Sequence, residues 1–352
     1  MTFLAEGQVC KEEGVSLAMN LLGAPCFPVK WGGRTRLLSA ASSARSRYTS
    51  VKWVPAYRWN AQLFREYSAT RAALRAPSMS APMDAMSDWP PKSVRHLQPF
   101  DAIVGTPGPT QSVLVRFVEP ETGRPHAVVK MMVSREAGTA ERIAAESQAI
   151  QDPKLDGLVP MHWETGVIDK HHYLVTEFVT GPSMAPGERG MMIAMNALKS
   201  KNTNSNLVDI ADHPWIQRNE KRAYWLKKER LIGRFPVVRM HGDFAPWNVL
   251  VQSRKNVVLI DWEFSEDNGI GGVDLAHYLL VTQHLLKRRD PRRAIACAIR
   301  ELNRIGGYSE REALTLIVLA TTLVLMREPY AAFREEYIFW NKVIKFTHGS
   351  HP

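Results

Sequence analysis

Cysteine is scarce in this chain. The three present, Cys10, Cys26 and Cys297, lie far apart and match no metal-ligand spacing, which excludes a zinc site or a disulfide framework as the organising device. A reducing compartment, the cytoplasm, is the expected location. Long apolar runs are missing as well. The longest, Leu314 to Met326, holds thirteen residues including three Thr. A membrane span needs about 20, so this run predicts a buried core helix. Acids are nearly absent from one region: between Lys30 and Ser80, Glu66 stands alone against ten Lys and Arg. Nine of the ten excess positive charges therefore fall there. The rest of the chain is close to neutral, and the high pI says little about a substrate.

What remains is ordinary for a globular protein. The 352 residues, 45% hydrophobic and 23% charged, suffice for two lobes with a substantial core. The most informative stretch runs from His241 to Glu263, HGDFAPWNVLVQSRKNVVLIDWE. Val249–Val251 and Val257–Ile260 are short apolar runs around a polar turn, which reads as a β-hairpin. The hairpin puts Asn248 at the mouth of its first strand and Asp261 at the end of its second. An amide and a carboxylate so paired are oxygen ligands suited to Mg²⁺, which takes one or two protein oxygens plus phosphate. Asp243, in the same loop, is free to accept a proton from a substrate hydroxyl. A chance surface turn ahead of an ordinary hairpin is the bland alternative.

His241-Gly242-Asp243, then Asn248, then Asp261-Trp262-Glu263 resemble the catalytic loop and metal site of the aminoglycoside phosphotransferase and choline kinase family, a branch of the protein-kinase-like fold. Asp-Trp-Glu stands where a protein kinase has DFG, which favours a small-molecule kinase. The resemblance implies an α+β, bilobal protein-kinase-like fold: a small antiparallel-sheet N-lobe at 93–181 and a mostly helical C-lobe at 182–352. Residues 1–92 are left as a basic N-terminal extension and linker that need not be ordered. The implied activity is ATP- and Mg²⁺-dependent transfer of the γ-phosphate to a hydroxyl of a small acceptor. Asp243 would be the base. His241, beside a carboxylate base, would fix the loop rather than react. Glu263 would add to the metal or substrate shell.

Lys130 lies mid-strand in the apolar run Ala127 to Met132, where an unpaired ammonium is costly. In this family its partners are nucleotide phosphate and a helix glutamate. Glu146 on the expected helix 135–150 is the choice, since Glu141 lies on another face. Gly105 and Gly108 sit in a turn leading into Val113–Glu119, where backbone N–H groups can approach phosphate. That turn departs from the fuller glycine-rich pattern of the family. Strands are also expected at Trp163–Ile168 and Tyr173–Val179. The end of the second is similar to the family's hinge, with backbone groups at Glu177 and Val179 pairing with adenine.

Further helices are expected at Ala194–Leu198, Trp215–Ile232, Arg292–Ile305, Glu310–Met326 and Phe333–Phe346. Ser265–Gly269 reads as a polar loop, Asp274 as a helix N-cap that in this family braces the catalytic loop, and His277 as a packed helix residue. Leu63, Tyr67, Thr70 and Leu74 form one stripe of a possible helix. The basic helix face at 221–230 points to a neutral or anionic acceptor, whereas Glu263, Glu266 and Asp267 could draw a polycation. Trp225 and Trp247 could stack on a sugar or cup a choline head group. Acceptor classes therefore stay open among sugars, aminoglycosides, choline-like molecules and glycan precursors. Two other readings compete: a nucleotide-binding scaffold of the same fold, and a nucleic-acid or anionic-membrane module acting through residues 30–80.

Overall fold

The computed structural model describes residues 13–31, 33–40, 43–54, 56, 59–75, 79, 86–106, 110–135, 137–181, 188–201, 206–219, 231–253, 256–327 and 334–349. The chain forms two compact units. The first comprises Met1–Ser147 with Pro160–Val179, the second Gln148–Val159 with Thr180–Pro352. Among the described residues, no helix is long and apolar enough to cross a membrane.

The first unit is built on one antiparallel sheet. Its strands are β1 (Phe27–Trp31), β2 (Arg34–Ser39), β3 (Gln98–Val104), β4 (Ser112–Val118), β5 (Pro125–Met132), β6 (His162–Ile168) and β7 (His171–Glu177). Their spatial order is β1-β2-β3-β4-β5-β7-β6. Strand alternation sorts the side chains. Val113, Val115 and Phe117 of β4 and Val129 and Met131 of β5 share one core with Leu17, Ala18 and Leu21 of a helix, α1, over 13–22. Lys130, between Val129 and Met131, faces the other side, where it lies opposite Leu114.

The basic segment is not a separate arm. Its strands β1 and β2 extend the sheet, with Leu38 opposite Ala102 of β3. Helices α2 (Ala44–Lys52) and α3 (Trp59–Leu74) pack on each other and on those strands. Much of its charge is used internally. Arg47 donates to the Ala72 and Ala73 carbonyls, Arg65 to Val54, and Lys52 pairs with Glu66. The stripe expected to anchor α3 faces outward, with Leu63, Tyr67 and Leu74 at 60%, 58% and 82% exposure. Ser68, Ala69 and Ala72 are buried instead. Small residues allow α3 to approach its neighbours closely, which larger side chains would prevent.

A buried ion pair fastens α2 to the sheet. Asp101 and Arg116 face each other in the β3–β4 register. Arg116 Nε donates to Asp101 Oδ1 at 3.1 Å, and Ser50 of α2 donates to Asp101 Oδ2. The guanidinium lies over the rings of Trp53, Phe100 and Phe178, at 4.5, 5.1 and 5.6 Å.

In the second unit, β9 (Arg234–Met240) runs between β8 (Leu207–Asp209) and β12 (Glu266–Ile270) in a three-stranded sheet. Residues 265–269, expected to form a loop, are thus mostly strand. Gly269 allows the close approach, since a Cβ there would meet Met240 Cβ. The hairpin β10 (Val249–Val251) and β11 (Val257–Leu259) pairs Val249 with Leu259. Helix α4 (Ala137–Ile150) runs from the first unit into the second, and α5 (Glu188–Lys201) and α6 (Pro214–Asn219) precede β9. The expected helix 215–232 is described only over α6, and residues 220–230 lie outside the described residues. The rest is α7 (Val273–Val281), α8 (Pro291–Gly306), α9 (Glu310–Met326) and α10 (Arg334–Gly349). The apolar run is indeed the core of α9, which packs against the other three and starts at a Ser309–Glu312 capping box.

Removing one partner of a buried pair strands the other charge at a cost of about 3–5 kcal/mol. Arg116→Met should therefore lower unfolding stability by that order in urea titration, and Arg116→Met with Asp101→Leu should recover most of it. A neutral single variant would dismiss the pin.

Candidate active site

Residues 241–248 connect β9 to β10, and the second unit clamps this loop from several elements. The N-terminus of α7 is the first. Its N-cap is Gly272 at φ 97°, not Asp274. A Cβ at Gly272 would come within 2.6 Å of Tyr308 Oη, so only glycine makes this entry. Asp274, released from capping, turns to the loop. Its Oδ2 accepts from His241 N at 2.8 Å and its Oδ1 from Gly242 N at 3.0 Å. Gly242 holds φ 81°, and a Cβ there would collide with the Phe264 carbonyl oxygen.

His241 is fully buried and has both ring nitrogens engaged. Nδ1 accepts from Asp243 N at 3.2 Å, which leaves Nε2 to donate to Ile260 O at 3.0 Å. The ring therefore ties the loop to the hairpin and lies 4.5 Å from the buried Trp262 ring. His277 of α7 is buried too, its Nδ1 3.0 Å from Phe244 O. Burial pushes its pKa down to about 4, against the opposing pull of Asp243. It is a packed residue that holds the loop.

Asp243 is the least covered of this group, its side chain 23% exposed. Oδ2 accepts from Asn248 Nδ2 at 3.0 Å and Oδ1 from Arg327 Nη1 at 3.0 Å. Burial alone would raise its carboxyl. The Arg327 charge, with His277 and His241, outweighs this and holds it below the ordinary aspartate range. A carboxylate has about four acceptor positions, so capacity remains for a hydroxyl donor.

Arg327 escaped the sequence reading. It caps the C-terminus of α9, also donates to Gly242 O, and lies 4.1 Å from the Phe264 ring centroid. The available signal was a cation that closes the chain's longest apolar run.

Both described side-chain hydrogen bonds of Asn248 use its amide N–H₂, to Asp243 O at 2.8 Å and to Asp243 Oδ2. The amide oxygen is thereby turned to accept. Ile260 N donates to Asn248 O at 3.0 Å, which extends the hairpin pairing to the residue before Asp261. Asp261 itself adopts φ 68°, a left-handed conformation uncommon for a non-glycine residue. An amide oxygen and a carboxylate are hard donors that fit Mg²⁺. Of the neighbouring acids, Glu266 accepts from Arg218 and from Trp215 Nε1, both at 3.0 Å, and Asp267 pairs with Arg239. Glu263 and Trp247 are half-buried. Trp225 and the basic positions Lys221, Arg222, Lys227, Lys228 and Arg230 lie outside the described residues.

In the first unit, Lys130 Nζ meets Glu146 Oε2 at 2.8 Å, with the two residues 8% and 6% exposed. Glu177 is tied to Met161 through both its N–H and its carboxylate. Val179 N–H makes no backbone hydrogen bond among the described residues. Gly105 N–H closes the β3–β4 hairpin on Ser112 O at 2.8 Å, where a Cβ would lie 2.7 Å from that oxygen. Its N–H is thus engaged within the protein. Gly108 lies outside the described residues.

Residues 170–304 match the family model described as the phosphotransferase enzyme family. Over that stretch the chain is similar to that family. The motif residues from His241 to Glu263 all fall inside it. Among solved structures, a thermostable mutant of aminoglycoside phosphotransferase APH(4)-Ia in its apo form is similar, with 14% identity, 72% of this chain and 97% of that chain covered, and a TM-score of 0.44. The GDP complex of wild-type aminoglycoside 2'-phosphotransferase-IIIa has 13% identity, 74% and 95% coverage, and a TM-score of 0.39. An aminoglycoside phosphotransferase from Alicyclobacillus acidocaldarius subsp. acidocaldarius has 14% identity, 78% and 98% coverage, and a TM-score of 0.37. No curated protein matches.

Two outcomes follow for the 241–248 loop. Asp274→Ala orphans two buried N–H groups, at about 1–3 kcal/mol each. It should destabilise the protein measurably in urea, with Asp274→Asn milder. His277 takes up its proton near pH 4 when folded and near 6.5 when unfolded. The stability it contributes is therefore complete above about pH 6.5 and falls as pH drops toward 4. His277→Gln should flatten the melting temperature over that window, and an unchanged slope would show that His277 does not titrate this way.

Proposed function

We propose that the protein is an ATP- and Mg²⁺-dependent phosphotransferase acting on a hydroxyl of a small, uncharged, sugar-like acceptor. The observation that carries this reading is the Asp243 carboxylate, held ionised by Arg327 and oriented by Asn248 on a loop braced by Asp274. Phosphoryl transfer asks mainly for positioning and charge neutralisation, and a loop braced by Asp274 and the His241 ring supplies the positioning.

In the reaction, the acceptor oxygen attacks the γ-phosphorus as its proton passes to Asp243. The bond from that phosphorus to the β–γ bridging oxygen breaks, and ADP leaves. Lys130, oriented by Glu146, would hold the α- and β-phosphates. Glu177 and Val179 would meet the base through their backbone. Asn248 and Asp261 would hold Mg²⁺, which when bound neutralises phosphate charge. His241 acts as a positioning residue. The choice of acceptor rests on Glu266 and Asp267, whose pairing with Arg218 and Arg239 removes the charge that would attract a polycation.

The test is transfer of labelled γ-phosphate from Mg-ATP or Mg-GTP into pools of sugars, aminoglycosides, choline and ethanolamine. Asp243→Asn should lower kcat by about 10²–10⁴-fold, and Lys130→Met should raise KM for the nucleotide. Label in the aminoglycoside pool would overturn the acceptor choice, and full activity of Asp243→Asn would overturn the base. Arg327 depresses the Asp243 pKa. Arg327→Met should therefore shift the acidic limb of the kcat–pH profile to higher pH, since the base now ionises later.

A further inference from the structure

The first unit contains a cavity that the phosphotransfer reading does not use. Its volume is about 470 Å³, within the roughly 300–1,000 Å³ of small-molecule sites. It opens between α1, the β1–β2 turn and the end of β3, and Met19, Arg34, Arg36, Val104 and Gln111 are among its lining residues. It lies on the sheet face away from Lys130. Val104 alternates in phase with Ala102 on the α1 side, and Val15, Ser16 and Met19 of α1 line the cavity together with Arg34 and with Arg36, the latter at a bulge in β2. Lys130 alternates with Val129 and Met131, which face α1.

Two features of the lining are incompletely matched among the described residues. Neither Arg34 nor Arg36 pairs with a carboxylate among the described residues, and the described hydrogen bond of Arg36 goes to the Thr106 hydroxyl at 3.2 Å. Burial and the Arg34 charge both push Arg36 below its ordinary pKa. The second feature is Gln111, 1% exposed. Its Nε2 donates to Gly105 O at 3.1 Å, while its Oε1 is buried and accepts from nothing described. Gly14 leaves room for this amide, since a Cβ there would lie 2.7 Å from Gln111 Nε2. A buried acceptor without a donor is costly, and two close guanidinium groups repel until an anion joins them.

We propose that this cavity is a second ligand site for a small phosphate monoester. A phosphate monoester is close to dianionic at pH 7 and so matches two guanidinium groups. A hydroxyl beside it would donate to Gln111 Oε1, and Val15, Met19 and Val104 would cover the carbon chain.

The test is calorimetric titration of the full chain with glycerol 3-phosphate, inorganic phosphate and glycerol. Glycerol 3-phosphate should saturate, inorganic phosphate should bind about tenfold more weakly for want of one good hydrogen bond, and glycerol should give no heat. Arg34→Gln, on an exposed side chain, should weaken glycerol 3-phosphate at least about tenfold at unchanged melting temperature, as should Arg36→Gln. Gln111→Leu should erase the preference over inorganic phosphate. Lys130→Met should leave the titration unaltered. Absence of saturable binding to the wild type would overturn the site. So would binding that ignores the arginines and is lost in Lys130→Met, which would assign the anion to the other face.

Discussion

Two hydrogen bonds from backbone N–H groups to one buried carboxylate hold the second unit's chemistry together. Asp274 accepts from His241 and Gly242 on its two oxygens. Burial drives its carboxyl toward protonation, while those two N–H groups oppose this. A carboxylate so enclosed needs both donors, and the donors can meet it only if the loop takes one shape. The left-handed Gly242 is part of that shape, as is the left-handed Gly272 that lets α7 begin without a side-chain cap. Once the loop is set, Asp243 N reaches His241 Nδ1 and Asn248 reaches the Asp243 carboxylate. The clamp is thus the precondition for every polar contact downstream.

Arg327 adds a different kind of control. It arrives from the end of α9, a helix whose side chains are mostly buried, so the core of the unit sets where its guanidinium lies. One such group does two jobs: it ties the Gly242 carbonyl and keeps Asp243 ionised. The stability of the helical core and the protonation state of the loop are therefore coupled through one side chain.

Among its described residues the first unit has two buried ion pairs with contrasting surroundings. Arg116–Asp101 is walled by three aromatic rings and completed by Ser50, so both partners are satisfied within the protein. That arrangement suits a pin between helix and sheet. Lys130–Glu146 is slightly more exposed, 10% and 7% for its side chains, which suits a lysine that must also meet a ligand. The same sheet carries the cavity on its other face, because strand alternation sends Lys130 one way and Val129, Met131 and the cavity-lining Val104 the other.

Local pattern alone revealed the hairpin, the position of Asn248 and Asp261 on it, the strands around Lys130 and the buried nature of α9. These features rest on periodicity and on residue types that tolerate few backbone states, and both are written in neighbouring residues. Three others depended on packing. The α3 stripe at Leu63, Tyr67 and Leu74 has helical spacing, yet close approach selected the small face at Ser68, Ala69 and Ala72. Asp274 satisfies the N-cap pattern, but the loop offered its carboxylate two stronger, fixed donors. Arg327 meets Asp243 across 84 residues of chain, a separation at which no local rule applies. Backbone preference and periodicity are properties of adjacent residues and survive in the bare sequence. Which face is buried, and which cation meets which carboxylate, depends on desolvation and distance between remote segments, and those exist only once the chain has folded.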